Sequence, residues 1–164
     1  MLALASRRAL SAVGVACVLL ATNCVHTPER LPTLERQFYE NLPTEREQRE
    51  FLRLRKSQRH AYLVDKNLWQ QWEALSEVER QGALKRAPAV GFTEFALRMA
   101  WGRPADVHEQ RARGRTVRFE TYIRCTSGPR RDEFVRRSVD CDGTASEVTA
   151  ALENGRVIEL RYLD

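Results

Sequence analysis

The hydrophobic period of this chain changes once, and that change restricts the fold more than its composition does. Through residues 33–88 the apolar side chains recur every three or four residues, as on one face of a helix. From Val107 onward they alternate, as in a half-buried strand. Helices first and strands after predict an α+β class, with a helical segment, one further helix, and an antiparallel sheet of three to five strands.

Residues 33–88 divide at their own punctuation. Pro43 separates a short helix around "LERQFYENL" from a longer pattern that opens with Thr44 and Glu47 at capping-box spacing. Phe51, Leu54, Ala61, Leu68, Trp69, Trp72 and Leu75 follow at roughly helical intervals, with a break at "VDKN". Trp69 and Trp72 share a face, for which core packing is the default and a protein-binding ridge the rival. A second capping-box pair, Ser76 and Glu79, opens "EVERQGALKR", and Pro88 closes it. In "VGFTEFALRMAWGRPADV", Thr93 is the expected N-cap and Phe95, Met99 and Trp101 form the apolar stripe. Gly102 and Pro104 end that helix.

In "TVRFETYIRC", Val117, Phe119, Thr121, Ile123 and Cys125 share one strand face, against Arg118, Glu120, Tyr122 and Arg124. "FVRRSVDC" and "SEVTAALE" are further strand candidates, and Asn154-Gly155 predicts a tight hairpin into "RVIELRYL". Cys125 and Cys141 read as a disulfide, with two free thiols as the alternative. Closing that loop contributes ~3 kcal/mol on the chain-entropy account. A hairpin centred on Gly128-Pro129 would place Cys125 opposite Glu133 and Cys141 ~25 Å further along, at ~3.3 Å per residue. A bridge tolerates only ~7 Å between Cα atoms, so it requires residues 126–140 to loop out instead.

Residues 1–23 hold Arg7 and Arg8, no acid, and a run from Ala9 to Ala21 in which only Ser11 is polar. A run of ~13 residues is too short for a membrane-spanning helix and suits a secretory leader, the alternative being a buried core helix. Cys17 lies within the run as a small hydrophobe. Cys24, at its polar edge in "LLATNC", resembles the lipidation site of a bacterial lipoprotein signal. Ala21 and Asn23 stand where that signal usually has Leu and then Gly or Ala, so ordinary cleavage near Ala21 is the rival. The resemblance implies an acylated Cys24, a lipidated tether over 24–32, and anchoring to the periplasmic face of the outer membrane, favoured by Val25.

The remaining 141 residues suffice for one compact domain, and their net charge is +3. Acids interleave with bases throughout, which argues against a nucleic-acid partner. The densest basic run, "RLRKSQRH" at 53–60, reads either as docking to anionic lipid or an acidic partner, or as a solvated face partnered by Glu45, Glu47 and Glu50. His26, His60 and His108 lack a second ligand at metal spacing, and no nucleophile motif or phosphate fingerprint is present. The chain therefore reads as a non-enzyme without catalytic residues, metal, cofactor or small-molecule substrate.

Gly91, Thr93, Gly102, Pro104 and Val107, with "FETYI" and "ENGRVIEL" downstream, make residues 89–164 resemble the BamE/SmpA-like small outer-membrane lipoproteins. The resemblance implies a short helix leading into an antiparallel sheet, and a role in outer-membrane or envelope assembly with envelope protein partners. Inhibitor domains share that fold, so a regulatory module acting on a secreted enzyme is the alternative.

Overall fold

Among the described residues, six α-helices and a five-stranded antiparallel sheet realise the α+β class expected from the change of period. The computed structural model describes residues 27–163; the leader, Cys24 and His26 lie outside them. At the start of that span Pro28–Arg30 form a 3-10 turn and Leu31 is buried, so the expected tether is docked at its far end.

The helical part comprises α1 (Thr33–Asn41), α2 (Glu45–Arg53), α3 (Lys56–Asp65), α4 (Leu68–Glu73) and α5 (Glu77–Leu84). The break expected at "VDKN" is present, with Asn67 left-handed at φ 57°. A second break at Leu54 and Arg55, both extended, splits the pattern that the sequence suggests is continuous. It rephases the chain: Ala61 is exposed, and Arg59 and Leu63 turn inward instead. At Thr44 only half the capping box forms, since Thr44 Oγ1 accepts the Glu47 amide but donates to the Glu47 carboxylate. Trp72 is buried and Trp69 half-buried, each about 6 Å from the Phe38 ring, so the pair packs in the core.

Helix α6 (Glu94–Trp101) links the two halves. Thr93 caps it by accepting the Ala96 amide at 3.2 Å, and Gly102, at φ 79°, turns the chain out of it. Ala96, Leu97, Met99, Ala100 and Trp101 are all buried, because α6 packs on α1, α4 and α5 as well as the sheet. Burial of each large side chain among them stabilises by ~1.5–3 kcal/mol. One core therefore runs from Leu31 to Val157, through both the helical and the sheet region.

The sheet contains β1 (Asp106–Ala112), β2 (Arg115–Cys125), β3 (Phe134–Val135), β4 (Ala145–Glu153) and β5 (Arg156–Leu163). The order is β1-β2-β4-β5, with β3 pairing β2 beyond the end of β1. Asn154 and Gly155, both at positive φ, make the expected hairpin. Segment 91–93 adds to the outer edge of β5: Gly91 N–H donates to Val157 O, and Val157 N–H donates to Phe92 O, both at 2.8 Å.

The helices cover the face of β2 that carries Glu120 and Tyr122, both buried, whereas Val117, Phe119, Thr121 and Ile123 on the more apolar face are only half-buried. Glu120 is tolerated there because α6 supplies its cation, Arg98. Two expectations are corrected. First, "FVRRSVDC" is a strand only at Phe134–Val135; Ser138–Cys141 is a 3-10 turn. Second, the bridge and the immediate hairpin coexist. Cys125 exchanges backbone hydrogen bonds with Asp132 and Glu133, as a tight pairing demands. The chain then reverses through the 3-10 turn and returns Cys141 to a Cα distance of 5.3 Å from Cys125.

The Ser76–Glu79 box forms in full and reaches further than a local cap. Glu79 accepts the Ser76 amide and hydroxyl and, at 2.8 Å, the Thr93 amide at the start of α6. Burial pushes its carboxyl upward, but the amides of Thr93 and Ser76 and the Ser76 hydroxyl outweigh that and hold it below the ordinary 4.5. A depressed carboxyl contributes stability above its unfolded value and loses it on acidification. Glu79→Ala is expected to cost ~2 kcal/mol at neutral pH in chemical denaturation, the size of a lost cap plus a charge-assisted hydrogen bond. The wild-type advantage over the variant is expected to shrink from pH 4.5 downward.

Candidate functional site

A cleft of about 680 Å³ opens where three segments meet: the α1–α2 corner, the exit of α6, and the disulfide-closed loop 126–140. Its aromatic surface comes from Tyr39, Trp101 and Phe134. The Trp101 and Phe134 rings stack at 4.6 Å with 18° between planes, and Tyr122 meets Trp101 edge-on at 5.2 Å. Phe134 reaches this place because β3 sets it opposite Arg124, while Val135, one residue on, joins Ile123 and the two cysteines on the other side of the sheet.

Four arginines and three carboxylates line the cleft, a net single positive charge. The carboxylates are already paired: Glu40 to Arg86 at 3.1 Å and Glu45 to Arg49 at 3.2 Å, both outside the lining, and Asp140 to Arg137 within it at 2.8 Å. Arg130 pairs with Glu133 at 2.9 Å and donates to the Asp140 carbonyl. Arg103 and Arg136 remain, and among the described residues neither forms an ion pair. Arg103 is half-buried and is positioned by donating to the carbonyls of Leu42 and Pro43 at the α1–α2 corner. Burial holds its guanidinium below the ordinary arginine value, as do the charges of Arg136 and Arg98. It remains a cation at any physiological pH, so the cleft presents positive charge that its own carboxylates leave unbalanced.

Behind the aromatic wall lies a charged chain that holds α6 to the sheet. Glu120 is fully buried on β2. Arg98 of α6 donates to it through Nη2, and the Tyr122 hydroxyl donates to it at 2.5 Å. Arg98 also meets Glu94 at 2.8 Å; Glu94 accepts both bonds from Arg118, and Arg118 pairs with Glu109 of β1 at 3.3 Å. Burial would lower Arg98, yet the bond to Glu120 and the charges of Glu120 and Glu94 hold it above its ordinary value. Burial and the adjacent Glu120 charge raise Tyr122 far out of the physiological range, so its hydroxyl stays a donor.

The residues singled out in the sequence are spread across the fold. Cys125 and Cys141 are bridged, closing the loop whose residues 130–140 line the cleft; Cys24 lies outside the described residues. His60 packs on Trp69 at 4.6 Å, and His108 stacks on Phe119 at 5.1 Å on the open sheet face. No group of three metal-competent side chains occurs among the described residues, and no helix there is long and apolar enough to cross a membrane. In the basic run 53–60, Arg59 is buried and bound at 2.6 Å to Glu35 of α1, rather than to the acids of its own segment. Sequence reasoning missed Arg103 and Arg136. Arg103 sits inside the Gly102-to-Pro104 exit that was legible only as a turn, and Arg136 lies in the stretch expected to be strand.

A buried carboxylate deprived of its cation costs ~3–5 kcal/mol, and so does the reverse. Arg98→Ala is therefore expected to lower unfolding free energy by that amount in urea titrations. Arg98→Ala combined with Glu120→Ala is expected to cost less than the two single losses added together.

No protein family matches any part of the chain, and neither a curated protein nor a solved structure matches it.

Proposed function

We propose that this protein is a lipid-anchored binding or scaffold protein on the periplasmic face of the outer membrane, acting in envelope assembly through the Arg103–Arg136 cleft. The Cys125–Cys141 bridge is the observation that carries the reading. A structural disulfide persists in oxidising compartments and not in the cytosol, and here it closes the loop forming one wall of the cleft. The basic-then-apolar leader ending at Cys24 supplies the route to that compartment. The assembly role rests on the resemblance of residues 89–164 to BamE/SmpA-like lipoproteins. Binding rather than catalysis is favoured because the titratable groups lining the cleft are arginines, paired carboxylates and Tyr39, with no nucleophile beside a base.

A second reading, a regulatory module that covers a secreted enzyme, draws on the uncovered sheet face. There Val117, Phe119 and Ile123 are half-buried beside an exposed Leu163.

Intact-protein mass spectrometry of the chain made in a bacterial host is expected to show a mature N-terminus at Cys24 carrying acyl chains, with processing blocked by globomycin. Cys24→Ala is expected to leave the membrane fraction. Full-length, unacylated protein in the cytosol defeats the proposal. Co-purification with assembly components from solubilised envelopes supports the first reading; a stoichiometric complex with one soluble enzyme supports the second.

A further inference from the structure

We propose that the cleft is a receptor for a carboxylate carried next to an apolar or aromatic side chain, the chemistry of a free peptide chain end. The inference rests on the binding reading above and specifies its ligand.

Charge sets the sign of the ligand. With the lining carboxylates already paired, Arg103 and Arg136 are the two cations left over, and they call for an anion. A carboxylate joined to an apolar group uses both features of the lining, the unpaired guanidinium groups and the aromatic wall. Inorganic phosphate or a polyanionic headgroup uses only the charge. Geometry agrees, because a guanidinium offers a planar fork that matches two coplanar oxygens. Arg103 uses Nη1 on the Leu42 and Pro43 carbonyls, which leaves Nη2 and Nε for a ligand.

The cleft walls set what the carboxylate is attached to. Tyr39 and Phe134 are half-buried and the buried Trp101 stacks on Phe134, giving a partly exposed aromatic surface within the same cavity as the two cations. A volume of about 680 Å³ suits two or three residues rather than an isolated anion. The site is also built before the ligand arrives. Arg103 is tied to the α1–α2 corner, and the loop bearing Phe134 and Arg136 is held by β3 and by the disulfide. Little ordering remains to be done on binding.

Calorimetric titration of the full chain in detergent tests this with three probes: acetyl-Gly-Ala-Phe as the free acid, the same peptide as its amide, and inorganic phosphate. The free acid is expected to bind saturably and at least tenfold tighter than the amide, with phosphate failing to displace it at equal concentration. Arg136→Ala, at an exposed position, is expected to abolish that preference while leaving the unfolding midpoint within a degree or two of wild type, as is usual for surface substitutions. Arg113→Ala, in the exposed β1–β2 turn, is expected to leave it intact. Equal binding of acid and amide, displacement by phosphate, absence of saturable heat, or an unchanged preference in Arg136→Ala each overturns the inference. Anchoring and compartment are read separately by mass and fractionation, so either proposal can fail while the other stands.

Discussion

The contact between Arg98 and Glu120 organises this molecule. Taking a carboxylate out of water costs several kcal/mol unless a cation and further donors meet it, and here Arg98 and the Tyr122 hydroxyl do so. The requirement fixes the rotation of α6, since only one face of that helix presents Arg98 to β2. With α6 set, Trp101 falls against Tyr122 and Phe134, and Gly102 directs Arg103 towards the α1–α2 corner. The apolar burial around Leu97 and Met99 supplies the bulk of the stabilisation, while the ion pair supplies the register.

The same contact explains where sequence reasoning succeeds and where it stops. Local chemistry was legible: the Ser76–Glu79 box, the Thr93 cap, the Gly102 exit and the Asn154-Gly155 hairpin each depend on residues within a few positions of one another. The change of period gave the class for the same reason. The buried side of β2 was not legible, because its identity depends on Arg98, 22 residues away from Glu120. The inward turn of Arg59 likewise depends on Glu35 in another helix. The break at Leu54 and Arg55 carries neither glycine nor proline, so nothing in its own residues announces it.

The cysteine pair shows a subtler limit. The choice between a bridge and a tight hairpin is forced only if the strand after the turn is long. β3 has two residues, and the 3-10 turn at Ser138–Cys141 reverses the chain straight after it. Both constraints are thereby met, and the loop between them becomes a fixed wall. The cleft is a product of that geometry. Its two unbalanced arginines come from segments separated by more than 30 residues, so no local motif could have named them.

The short segment at 91–93, lying along β5, bears on how many such molecules coexist. An open sheet edge invites further strands, and that hazard grows when chains are crowded on one surface. Gly91 and Phe92 occupy the main-chain groups of Val157, so an intruding strand finds one end of the rim already taken. The stretch from Ile158 to Leu163 stays open, as does the outer side of β1 at the opposite edge. The protein thus plugs one end of one edge with a piece of the linker that delivers the chain into α6.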